Sequence, residues 1–229
     1  MTKRGHLMFV HCTRIWWAAA IARNRVRDDP SKNGFDAITA IMLSVAAIEA
    51  FINEMAAEVE MVEKNLSPSD PSDARVIAFG TAMSELENSK ASLTLKYQLA
   101  AQVLQGRMFL RGEPPFQDFA TLVSLRNDVT HVKNLDEHDA ASLMQLGTKP
   151  SARIRDLQQR ALARKTETDV SMSWLNTLET TAVAEWACVV SYTIIVAILR
   201  MFPLDTSTPT MAHGLIEAFQ NARDSSEKP

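Results

Sequence analysis

ITAIMLSVAAIEAFINEMAAEVEMV, residues 38–62, decides how this chain folds. Ile38, Ile41, Val45, Ile48, Ile52, Met55, Val59 and Val62 recur at alternating spacings of three and four, which lays one apolar stripe along a long helix packed against others. Upstream, residues 8–27 read as a first helix with Arg23, Arg25 and Arg27 near its negative dipole end, and Asp29, Pro30, Asn33 and Gly34 stop it. Downstream, residues 67–73 form a loop with Pro68 and Pro71, and Ser72 and Asp73 can cap a third helix running to about residue 89. A fourth helix, about Leu93 to Gln105, ends at Gly106; the segment from Arg111 to Pro115 turns, and another helix starts near Phe116. Residues 134–169 are polar, with one weak helical stretch from Ile154 to Ala163. The last long helix, about Val170 to Met201, is apolar on nearly every side over its second half and ends at Pro203. The expected fold is all-α: an up-and-down bundle of five to seven helices with a long second helix and a long apolar last one. It forms one domain over residues 1–204, followed by a polar tail at 205–229.

Composition agrees and excludes several functions. Of 229 residues 46% are hydrophobic, enough to bury a core, while only 7 Gly and 9 Pro argue against a many-turned all-β chain. A formal charge of −3 excludes a globally basic protein held on nucleic acid by bulk electrostatics. Two cysteines, Cys12 and Cys188, cannot build a disulfide framework or a four-thiolate metal site, and a reducing, cytoplasmic setting is expected. Both are expected to be buried, inert thiols. Trp16, Trp17, Trp174 and Trp186 recur near apolar helical positions and are expected in the core. The apolar run from Trp186 to Leu199 is about 14 residues, short of the roughly 20 that span a bilayer, so a buried helix and no membrane are expected. Residues 1–17 are broken by His11, Cys12 and Arg14 and do not read as a signal peptide. Asp136-Glu137-His138-Asp139 reads as a solvated loop, and neither a metal nor a cofactor is expected.

The residues that carry chemistry are Arg126-Asn127-Asp128-Val129-Thr130-His131, at the end of a helix made apolar by Phe119, Leu122, Val123 and Leu125. Arginine offers a fixed fork of donors that matches a phosphate, and histidine titrates near neutrality. Five positions separate the two by about 140° on a helix, so Arg126 must curl toward His131 or the site must be assembled from two chains. Asn127 and His131, four apart, share a face, so the amide could orient the ring. On the long helix, Glu49 and Asn53 stand one turn apart at the edge of the apolar stripe. A glutamate there either rims the bundle in water or needs a donor, and Arg126 or His131 would serve. The densest basic stretch, Arg153, Arg155, Arg160, Arg164 and Lys165, either guides RNA or is a solvated helix face.

Ala47-Ile-Glu-Ala-Phe-Ile-Asn-Glu54, Leu95-Lys96-Tyr97 and Leu125-Arg-Asn-Asp-Val-Thr-His131 together resemble the signature positions of HEPN-domain proteins, over roughly residues 35–135. The resemblance implies an all-helical HEPN-like bundle that usually dimerises, bringing two Arg-and-His motifs into one cleft. Many members are metal-independent endoribonucleases of toxin–antitoxin, antiviral defence or RNA-processing systems; others are inactive binding or assembly modules. By position, Arg126 and His131 would be the catalytic pair, Asn127 the polar residue after the arginine, and Glu49 the supporting acid, with Asn53 beside it. Arg153, Arg155 and Arg160 would help to bind RNA. The partners implied are a second copy of the chain, RNA, and a separate antitoxin or partner protein. Two features depart from the pattern: Thr130 stands where an aliphatic residue is common, and residues 134–169 exceed what a minimal domain needs. Two rival readings remain, a non-catalytic interaction module and a small-ligand-binding regulator with a closed apolar pocket.

Overall fold

A computed structural model of the chain describes residues 10–130, 152–163 and 174–203. Among them are eight α-helices and no strand: α1 (Val10–Asp28), α2 (Pro30–Asn33), α3 (Phe35–Val62), α4 (Pro71–Asn88), α5 (Leu93–Gln105), α6 (Phe116–Thr130), α7 (Ala152–Gln159) and α8 (Thr181–Leu199). Two of them, α2 and α7, are short, and the remaining six build the bundle. Its axis is α3, which packs against α1, α4 and α8 and more lightly against α5 and α6.

The stripe that defines α3 in the sequence is the stripe it buries: Ile41, Ile48 and Ile52 are fully enclosed and Val45, Met55 and Val59 nearly so. Where helices come closest, side chains are small. Ala22 and Val26 of α1, Ala37 and Ala40 of α3 and Ala184 of α8 form one compact cluster. Against α4 the close approach is made by Gly80, where an added Cβ would stand 2.5 Å from Val59 Cγ1.

Capping residues account for several boundaries. Ser92 opens α5 through its side chain, which accepts from Leu95 N, and Gly106 closes it in the left-handed region at φ 74°. The residue that caps α4 is Asp70, not Ser72 or Asp73: its carboxylate accepts from both their amides, and Pro71 takes the first helical position, where no amide is needed. The last helix begins at Thr181, not near Val170, because Thr180 accepts from Val183 N and ends the preceding 3-10 turn, Trp174–Leu178. The polar tail from residue 205 lies outside the described residues.

Polar groups in the core are mostly satisfied locally. The indole of Trp16 donates to Ser191 Oγ at 3.0 Å, Ser191 donates to Cys188 O at 2.9 Å, and Ser44 Oγ lies 3.9 Å from Cys188 Sγ. Both cysteines are free and buried; burial pushes the Cys188 thiol up to about 11 despite the nearby Arg23, and raises Cys12 further beside Glu54. Neither is a nucleophile at neutral pH. Trp16 and Trp186 are core residues, whereas Trp17 is 49% exposed because the position after Trp16 turns about 100° away from the buried side of α1. The helices α3 and α8 are long and apolar enough to cross a membrane by length and composition, and 56% and 67% of their most apolar windows are buried inside the bundle.

One carboxylate on α3 works against this core. Glu58 is 4% exposed and pairs with no described residue, and burial holds its carboxyl above the ordinary range. A folded-state pKa raised above the unfolded value contributes stability that is complete below the unfolded value and is lost as pH rises through the folded one. Glu58→Gln is therefore expected to stabilise the protein at pH 7 by about 1 kcal/mol, with the difference vanishing toward pH 4. Denaturant melts of both proteins across that range check it.

Candidate functional site

The last turns of α6 bring Arg126 to α3. Leu122 and Leu125 are fully enclosed and fix the register of α6, and two aromatic contacts set its height. Phe119 lies 4.7 Å, centroid to centroid, from Tyr97 of α5, and the Tyr97 hydroxyl donates to Ile48 O at 3.0 Å, in the turn that presents Glu49. Seven residues after Phe119 on the same face of α6, Arg126 reaches Glu49, Nη2 to Oε2, at 3.7 Å.

That contact is an ion pair too long for a hydrogen bond. Glu49 is half exposed and the Arg126 side chain 26% exposed. The Nε of Arg126 is enclosed and makes no hydrogen bond. A buried donor without an acceptor costs about 1–3 kcal/mol, so the guanidinium is placed but not satisfied. Asn127 projects into solvent, about 100° round the helix from Arg126. Thr130 turns its hydroxyl back onto the helix, donating to Arg126 O at 3.0 Å, so at this position it serves the helix end. His131 lies outside the described residues, as do Arg164, Lys165 and the 136–139 cluster.

A second polar group adjoins the pair. Asn53, one turn beyond Glu49, accepts from Lys96 Nζ at 3.1 Å, and Lys96 is also paired with Glu87 of α4. Lys96 is 4% exposed. Its partnership with Asn53 was not foreseen from sequence, although a signal existed: Lys96 sits among Leu93, Tyr97, Ala100 and Leu104 on the apolar stripe of α5, where a cation requires partners.

The basic stretch divides. Arg155 is exposed, and of Arg153 only its place on α7 is described. Arg160 is held instead by the fold: it lies 2.8 Å from Asp118 of α6 and 3.7 Å from Asp156, with its guanidinium 5.7 Å from the centre of the Trp186 ring. It ties the segment after α7 to α6 and α8. Among the described residues no group of three His, Cys, Asp or Glu could hold a metal ion.

A cleft of about 370 Å³ lies at the opposite end of α6, lined by Arg107, Met108, Phe109, Leu110, Glu113 and Met201 among others. Phe116 and Arg126 are ten residues apart, about 15 Å along the helix, so this cleft is separate from the Arg126 pair. With Met108 48% and Leu110 65% exposed, it is open and not the closed pocket a small-ligand regulator would need.

Comparison of the chain with family models, with curated proteins and with solved structures finds no match. The geometry of α3, α5 and α6 is therefore the basis for any functional reading.

Proposed function

We propose that this chain is a metal-independent, HEPN-type endoribonuclease, acting as a cytoplasmic homodimer on single-stranded RNA in a bacterial toxin–antitoxin or defence setting. The observation that carries the reading is the incompletely satisfied Arg126 beside Glu49. Glu49 engages one terminal nitrogen from 3.7 Å, which keeps the guanidinium in place and leaves its outer donors, though not the enclosed Nε, for a phosphate. Arg126 would then stabilise charge growing on the phosphate oxygens while His131 takes the proton from a ribose 2′-hydroxyl or gives one to the leaving oxygen. One histidine cannot easily do both, so two subunits, each contributing a motif, supply the base and the acid. An attack by the 2′-hydroxyl breaks the P–O5′ bond and leaves a 2′,3′-cyclic phosphate and a free 5′-hydroxyl. It cannot proceed on DNA. A separate antitoxin or partner protein would restrain such an activity.

The rival reading, a non-catalytic assembly module, draws on the same pair, since a guanidinium three-quarters covered and matched to a carboxylate also ties two helices together. Incubation with RNA in the presence of a chelator separates the two. Cleavage to 2′,3′-cyclic phosphate ends, with DNA of the same sequence untouched, is the expected result, together with elution as a dimer; intact RNA selects the module.

A further inference from the structure

An ammonium group has three donors and no acceptor, so only the carbonyl end of the Asn53 amide can face Lys96. The usual two-fold ambiguity of a carboxamide is thereby removed, and the Asn53 NH2 is turned away from the lysine. No described residue accepts from that NH2, and Asn53 is partly exposed. Glu87 pairs with Lys96 as well, so the almost enclosed lysine is held from two sides. Asn53 thus presents fixed, unused N–H donors from the side of α3 that also bears Glu49 and, through it, Arg126.

We infer that Asn53 is a substrate-contacting residue, its NH2 donating to a phosphodiester oxygen next to the one held by Arg126, and that Lys96 is the positioning residue that locks the amide as a donor. The inference rests on the ribonuclease reading above. A phosphodiester accepts hydrogen bonds and donates none, so an amide free to flip would offer the wrong end half of the time; Lys96 prevents this.

Asn53→Asp is nearly isosteric and keeps an oxygen toward Lys96, forming an ion pair, but it replaces the donor with a negative charge on the substrate side. Binding is read by fluorescence anisotropy with a single-stranded RNA carrying 2′-O-methyl riboses, which cannot be cleaved by 2′-hydroxyl attack. Asn53→Asp is expected to weaken binding at least ~10-fold with an unchanged or higher melting temperature. Lys96→Met, which frees the amide to rotate, is expected to weaken it about threefold, and to have no further effect in an Asn53→Ala background, where there is neither an amide to orient nor a carboxylate whose charge the lysine would mask. Wild-type affinity in a stably folded Asn53→Asp protein overturns the substrate contact, and additive losses in the double variant overturn the positioning role of Lys96. Cleavage of unmodified RNA by the wild type is measured alongside. Absence of both binding and cleavage in the wild type overturns the ribonuclease reading and this inference with it.

Discussion

Replacing His131 with alanine is expected to lower the rate of RNA cleavage by a factor of about 10² to 10⁴, the usual contribution of a positioned acid or base. Removing Arg126 is expected to have an effect of similar size, because a charge-stabilising donor acts where the phosphate becomes more negative. The two losses should differ in form. On the proposed reading Arg126→Ala removes a group that would hold the ground-state phosphate as well as the transition state, so KM should rise while kcat falls; His131→Ala should act mainly on kcat. Single-turnover and steady-state assays on the two variants read this difference. Arg126→Ala also leaves Glu49 without its partner, but that carboxylate is half exposed and water replaces the lost pair, so folding should be retained. Full activity in a folded His131→Ala protein would remove the histidine from the mechanism.

The second large effect falls on stability. Phe119 is fully enclosed, 4.7 Å from Tyr97 and 5.5 Å from Phe116 by ring centroid, and it seats α6 on α5 two turns before Arg126. Phe119→Ala should cost ~3–5 kcal/mol from lost burial and the cavity left behind. For a chain of this length that corresponds to a fall in melting temperature of roughly 10 °C. Because Tyr97 also bonds Ile48 O, the same cavity loosens the turn that presents Glu49. Thermal melts followed by circular dichroism check the magnitude, and a shift of only a degree or two would mean that α6 is held elsewhere.

Sequence patterning reached the bundle because the residues that set it act locally. The Ile38-to-Val62 stripe, the Gly106 stop of α5 and the turn from Arg111 to Pro115 each depend on neighbours a few positions away. The start of α8 was misplaced for a related reason. Residues 170–180 are compatible with helix by composition, but the Thr180 side chain offers its oxygen to Val183 N, and that one hydrogen bond moves the boundary by eleven residues. The six helices that build the bundle fall within the five to seven expected, and among the described residues the short α2 and α7 add to them in polar stretches.

The candidate site was legible in part. For Glu49 the sequence left two readings, a residue rimming the bundle in water or one meeting Arg126 or His131; the fold sets it 3.7 Å from Arg126 and leaves it half exposed. Arg160 could not be told from a solvated cation, since its partners Asp118 and Trp186 are 42 and 26 positions away and only the fold brings them together. Lys96 posed the same difficulty: Asn53, 43 positions earlier, gives no sign in sequence that its amide is fixed by a lysine from another helix. Trp17 failed as a core assignment because adjacent helical positions diverge by about 100°, and only Trp16 faces Tyr192 of α8.

Mapping the ends of RNA cut by the purified protein without metal tests the ribonuclease reading most directly. The account predicts 2′,3′-cyclic phosphate and 5′-hydroxyl ends from the wild type and none from Arg126→Ala or His131→Ala. Products ending in 3′-hydroxyl groups, or equal cleavage by all three proteins, would contradict it.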